Sequence, residues 1–258
     1  VLRFAAKYQE SQNSSQVSLF GSASEVQIPE PDLPFAEPWG AIKKLKQEKE
    51  VVGIYISGHP LDEFRTEMTE FCNVKVAHCQ DLLPYTNREI AFGGIISGVE
   101  HRVTRQGKEW GLFLLEDYDD SYEFRIFGEE YLKFRHFLKI DAFLYIKAFV
   151  KEGWVNRDTG KKGEPRLQYN HFQLLHDVLE TLAKKITFKV PIDGLDQAYI
   201  DTLKKVVKKH KGTKGVYLSV FDREESVHLS MSSRKSKVLI NRALIETLTK
   251  EQVYFKLN

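Results

Sequence analysis

Trp39, Ile42, Leu45 and Val52 recur at near-helical intervals among lysines and glutamates, and Leu61, Phe64, Met68 and Phe71 repeat that spacing after a break at Gly58-His59-Pro60. Apolar positions three and four apart share one helix face, so residues 38–83 are expected as two amphipathic helices, with Pro38 suited to a first turn. From Glu89 the period changes to two. Ile90–Val103, Glu109–Glu116 and Tyr122–Phe127 read as strands joined by turns at Arg105-Gln106-Gly107-Lys108 and Asp117–Ser121. Gly93-Gly94 inside the first strand is expected to be a bulge or sharp coil. Tyr131, Leu132, Phe134 and Leu138 form an apolar stripe that predicts a helix over Glu129–Leu138. Ala142–Trp154 and Arg166–Leu175 follow as strands, separated by a Gly- and Lys-rich loop.

Five strands with a helix between the third and fourth is the chain order of an OB-fold, a partly open five-stranded barrel. The remainder predicts strand 185–190, helix 194–210, strands 214–221 and 225–231, helix 241–249 and strand 252–257. The expected fold class is therefore α+β multidomain: a small helical region, an OB-fold β-barrel and a small mixed α/β C-terminal domain. The boundaries read as 1–37, 38–85, 86–178 and 179–258. Residues 9–36 have linker composition: a polar QESQNSSQ, then Pro29, Pro31 and Pro34, with Pro38 just beyond.

Composition narrows the function classes. Apolar residues are 42% and charged residues 29% of the 258, a globular balance. No apolar run reaches the ~18–20 residues of a membrane span, so no membrane partner is expected. The chain lacks an initiator Met, which points to a piece of a longer protein, and a cytoplasmic setting is expected. Cys72 and Cys79, with His78 beside one of them, have no second ligand pair, so free cysteines are expected rather than zinc. Asp117, Asp119 and Asp120 fall at a hairpin, where Asp caps the turn. Clustered metal-binding carboxylates, a phosphate-cradling Gly-Lys-Ser/Thr loop and a nucleophile–base pair are all missing. No catalytic residue, metal site or cofactor is therefore assigned within this chain.

Binding is better supported. The net charge of +2 hides an uneven distribution, with 17 Phe and 11 Tyr interleaved with Lys and Arg. Tyr122, Phe124 and Ile126 alternate with Glu123 and Arg125, so Arg125 is expected on the open face of the barrel. Strand two is apolar on both sides, and Trp110 with Phe127 is expected to form a stacking platform for bases. Arg102, Arg105 and Lys108 line the first loop. Trp154, Arg157, Lys161, Lys162 and Arg166 line the longer one, with Tyr169 close behind. Cationic loops flanking an aromatic sheet predict a single-stranded nucleic acid as partner. Two other readings remain open: a barrel face buried against another protein, and the tRNA-binding OB domain of an aminoacyl-tRNA synthetase, which would require motifs not found downstream. The run Lys204, Lys205, Lys208, Lys209 is read as a solvated helix face.

One pentapeptide in the linker, Gln16-Val17-Ser18-Leu19-Phe20, matches the Gln-x-Ser/Asp-Leu-Phe pattern by which bacterial replication proteins hold the sliding clamp. With Gly53-Ile54-Tyr55-Ile56-Ser57-Gly58-His59-Pro60, Thr104–Lys108 and Leu115-Glu116-Asp117, the chain resembles the C-terminal third of the bacterial DNA polymerase III alpha subunit family. Beyond about residue 178 the likeness is one of position and length only. The resemblance implies that Gln16, Leu19 and Phe20 bind the clamp (the beta subunit), that the barrel receives unpaired template, and that the last domain contacts the tau subunit of the clamp loader. It also implies that the DNA-directed polymerase (nucleotidyltransferase) centre, with its Mg2+, lies upstream in a palm domain. His59 is read as structural, fixing the turn before the second helix.

Overall fold

The computed structural model describes residues 4–6, 9, 35, 37–153, 163–222 and 228–258, in two units, Val1–Ile54 and Tyr55–Asn258. In the first, helix α1 (Ala41–Val52) ends at Gly53, whose φ of 88° supplies the left-handed C-cap. It buries no residue, and Trp39, Ile42 and Val52 are exposed.

The second unit opens on a capping box. The imidazole Nδ1 of His59 accepts from the Leu61 amide at 3.1 Å, and the Asp62 carboxylate accepts from the His59 amide at 2.7 Å. Two otherwise unpaired helix-start donors are thus satisfied. The second expected helix is therefore a 3-10 turn, Pro60–Phe64, running into a short α2 (Arg65–Phe71).

Five strands follow: β1 (Glu89–Val103), β2 (Glu109–Glu116), β3 (Ser121–Phe127), β4 (Phe143–Lys151) and β5 (Arg166–Leu174). They pair antiparallel in the order β3-β2-β1-β4-β5, with α3 (Gly128–Phe134) between β3 and β4. This is the OB-like sheet predicted. Gly128, at φ 57°, makes the turn from β3 into α3. The expected helix over Glu129–Leu138 is shorter than its stripe, because Arg135–Phe137 tightens into a 3-10 turn.

The bulge also falls elsewhere than expected. Register shifts between Ile96 and Gly98, not at Gly93-Gly94. Ile95 pairs with Phe143 of β4 and with Glu116 of β2, so β1 changes partner there. Gly94 serves close approach instead: a Cβ would strike the Glu116 carbonyl oxygen.

Inward residues of every strand meet in one core that includes Phe92, Phe113, Phe124, Ile126, Tyr169 and Phe172, closed by Tyr131 and Phe134 of α3. Phe92 and Phe113 stack on Phe124 with centroids at 5.0 and 5.3 Å, pairs worth ~0.5–1.5 kcal/mol beyond burial. The opposite face of β1 and β4 carries Ala91, Ile95, Phe143 and Tyr145, which pack under Leu61, Phe64 and a helix not predicted, α4 (Leu175–Leu182). Leu175 and Val178 of α4 join that cluster, while Leu179 enters the next domain's core.

The last domain is mixed α/β. β6 (Lys185–Pro191), β7 (Lys211–Phe221), β8 (His228–Val238) and β9 (Phe255–Leu257) lie in the order β8-β7-β6-β9. β6 and β7 are parallel, joined by α5 (Gln197–Lys209), and α6 (Arg242–Lys250) precedes β9. β8 runs seven residues beyond the strand expected to end at 231.

Candidate nucleic-acid interface

Register decides what the outer face of the OB-like sheet presents. In β2, Phe113 and Leu115 are buried, while Trp110, Leu112 and Leu114 are half-buried on the other side. Trp110 pairs across to Phe127 of β3 and to Arg102 of β1, and Leu112 pairs with Arg125 and Glu100. The outer face is thus an apolar strip flanked by two charged strands.

Trp110 and Phe127 stack, centroids 5.1 Å apart and planes at 19°. The Arg102 guanidinium lies 5.5 Å from the indole centroid, within cation–π range. Phe127 is 55% exposed, so one ring of the pair remains open to a ligand. Phe124 and Ile126 point inward and Arg125 outward, as the alternation predicted. Arg125 is ion-paired to Glu123 at 3.1 Å, and Arg102 to Glu100. Both cations of the sheet face therefore carry a carboxylate two residues back on the same strand. The face is less positive than a count of arginines implies.

Arg105 and Lys108 are exposed in the β1–β2 turn, which is closed by mutual Thr104–Lys108 hydrogen bonds. Arg166 opens β5 directly opposite Lys151, the last residue of β4. A groove of about 920 Å3 along the seam between β3 and β5 brings Arg125, Phe127, Lys151 and Arg166 together with Tyr122 and Glu130. Burial holds the Glu130 carboxyl above its usual range, opposed by a backbone hydrogen bond from Tyr169 and by nearby Lys151 and Arg166. Phe127 belongs to both the stacked pair and the groove, which makes the two one continuous surface. Sequence reasoning missed Lys151 and the pairing of Glu100 and Glu123 with the two arginines. The Glu-x-Arg spacing of Glu100–Arg102 and Glu123–Arg125 was the available signal. Tyr169, read as standing close behind the long loop, is buried in the core. Trp154, Arg157, Lys161 and Lys162 lie outside the described residues, as do Gln16, Leu19 and Phe20.

The other candidate chemistry resolves into structure. Asp117 is buried; one carboxylate oxygen accepts from the Asp119 and Asp120 amides at 2.9 and 3.0 Å, the other from Val76 at 2.8 Å. It closes the hairpin and ties it to the preceding segment. Burial pushes the thiols of Cys72 and Cys79 up to about 12. The His59 ring lies between those of Tyr55 and Tyr118, at 5.0 and 4.8 Å.

The architecture is thus an α+β protein that joins an OB-like sheet to a small mixed α/β domain. Residues 186–258 match the family model described as DNA polymerase III alpha subunit, C-terminal domain. A DNA polymerase III subunit alpha from Thermus aquaticus is 29% identical over 222 residues, covering 85% of this chain and 17% of that protein. The Saccharopolyspora erythraea subunit is 24% identical over 230 residues, 84% of this chain and 18% of its own, and the Bacillus subtilis subunit 26% over 190, 72% and 16%. The chain is related to the bacterial DNA polymerase III alpha subunit in its C-terminal region, and spans under a fifth of the length of these relatives. The tail, expected to match least, is the part the family model matches. No helix among the described residues is long and apolar enough to cross a membrane.

Proposed function

We propose that this chain is a noncatalytic, tethering and template-binding part of a bacterial replicative DNA polymerase. In this reading the outer face of β1–β3 takes unpaired single-stranded DNA. Bases stack on Phe127 and Trp110, and phosphates lie along Arg102, Arg105, Lys108, Arg125 and Arg166, continued by Trp154, Arg157, Lys161 and Lys162 of the long loop. Gln16, Leu19 and Phe20 engage the sliding clamp, and the C-terminal domain contacts the tau subunit of the clamp loader. Nucleotidyl transfer and its Mg2+ ions belong to another part of the polymerase, in the bacterial cytoplasm.

The observation that carries the DNA reading is the stacked Trp110–Phe127 pair, open on the sheet face with Arg102 over it. Aromatic stacking is tolerant of base identity and is worth ~1–3 kcal/mol per base, while phosphate contacts make affinity fall with salt. Fluorescence anisotropy with labelled oligo-dT tests it. Binding is expected at low salt, weakening as salt rises, and Trp110→Ala with Phe127→Ala should lose ~1–3 kcal/mol per ring. Binding that is absent at low salt, or unchanged in the double variant, refutes the assignment. For the tether, Leu19→Ala with Phe20→Ala should abolish co-elution with the clamp.

A further inference from the structure

The C-terminal domain covers one face of its sheet incompletely. Phe188, Val190, Leu218 and Val220 lie on the side packed by α5 and α6, and register places Met231 opposite Leu218 and Leu229 opposite Val220 on that same side. Yet Met231 is 42% and Leu229 55% exposed. Between α5 and the edge strand β8 runs a groove of about 640 Å3. Its floor is apolar, with Leu195, Ile200, Leu203, Val207, Val216 and Leu218 beside the buried Phe188. Its rim is cationic on both banks, with Lys204 and Lys208 on α5 and Lys211, Lys235 and Lys237 on the sheet side. Lys204 is paired with Asp201 at 3.3 Å. Lys208, Lys211, Lys235 and Lys237 form no ion pair among the described residues.

We propose that this groove docks an acidic, amphipathic peptide segment of a partner protein, its apolar side chains on the floor and its carboxylates against the lysine rims. An apolar trough rimmed by one sign of charge is complementary to an amphipathic helix of the opposite sign. Nucleic acid fits less well: the floor presents no exposed aromatic ring for base stacking, and the rim contains no arginine. The lysines read from sequence as a solvated helix face thereby become one bank of a site. The proposal rests on the reading of this domain as the contact for tau, and names where and by what chemistry that contact is made.

The full chain serves for the test, in two arms. In the first, surface plasmon resonance measures binding of the tau subunit to the wild type, to Leu195→Asp on the groove floor, to Lys208→Glu with Lys235→Glu, and to Lys189→Glu, an exposed lysine in alternate register to the floor. In the second, anisotropy follows a labelled helical peptide of leucines at i, i+3, i+4 and i+7 flanked by glutamates, beside a scrambled control. Both groove variants are expected to bind tau and the peptide at least tenfold more weakly, with Lys189→Glu unchanged. If tau binds every variant equally and the peptide does not bind, the groove is overturned while the tau reading stands. If tau fails to bind the wild type but the peptide binds and responds to both variants, the groove stands and the tau reading falls. Labelled single-stranded DNA lost in the lysine variant but indifferent to Leu195→Asp, with no peptide bound, would assign the lysines to nucleic acid and overturn the proposal.

Discussion

At the scale of single residues, the two arginines of the sheet face matter as much for their partners as for themselves. Arg125 and Glu123, and Arg102 and Glu100, are exposed pairs, and such pairs contribute at most about 1 kcal/mol to stability. Their larger consequence is for a phosphate ligand, which must compete with a carboxylate already in place. Glu100→Gln with Glu123→Gln is expected to strengthen oligo-dT binding severalfold and steepen its salt dependence, with little change in melting temperature; anisotropy across a salt series checks both. A loss of affinity would show instead that the carboxylates hold the guanidinium groups in their binding geometry. The cysteines lead to an opposite expectation. With thiols raised to about 12 by burial, thiolate is scarce near neutral pH. Alkylation by iodoacetamide at pH 8 should be negligible in the native protein and complete only in denaturant, as mass spectrometry would record.

At the scale of elements, the capping box at His59 and Asp62 starts the segment that roofs the outer face of β1 and β4. Leu61 and Phe64 are fully buried just behind it, so the cap sets where these two side chains enter the cluster with Ile95 and Phe143. Asp62→Ala removes the acceptor of the His59 amide and the partner of Arg65 at 2.9 Å. A loss of ~0.5–2 kcal/mol is expected from a helix cap, measurable by urea unfolding; no loss would mean the roof is held by burial alone. The OB-like strands were legible because alternation is a local property, carried by residues two apart such as Phe124 and Ile126. Helix α4 was not: Leu174-Leu175 extends the apolar pattern of β5, and nothing local marks where strand becomes helix. The turn is set by packing, since Leu175 and Val178 face one core and Leu179 the other.

At the scale of the whole second unit, charged groups join the apolar Phe71 and Leu179 at the junction between the sheet's helical cover and the C-terminal domain. Arg242 at the start of α6 pairs with Glu63 at 2.9 Å, lies 4.7 Å from the Phe64 ring centroid and approaches the buried Glu67 at 4.0 Å. Glu70 accepts from the Leu257 amide at 2.9 Å. Burial raises the Glu67 carboxyl above its ordinary range, with Arg242 only partly opposing it. The folded state therefore holds that proton more tightly than the unfolded chain. Its contribution is fully present below the ordinary glutamate pKa and is lost as pH rises through the raised one. Glu67→Gln is thus expected to leave the melting temperature unchanged in mild acid and raise it at neutral pH, in a scan by calorimetry. A fall at neutral pH would show that the ion pair with Arg242 outweighs the cost of burying the charge.

What the amino-acid order determined alone was periodic and local. The change from helical to strand spacing near Glu89, the turns at Gly107 and Asp117, the inward set Phe124 and Ile126, and the likeness to the polymerase family all follow from neighbours along the chain. Tertiary structure decided what depends on partners far apart in sequence. Register placed Trp110 against Phe127 and Arg102, strand pairing set Lys151 beside Arg166, and β8 lay at the sheet edge, where a groove opens between it and α5. Side-chain alternation says which face a residue occupies; only the pairing of distant strands says what it meets there, because cross-strand neighbours are chosen by the packing of the whole core.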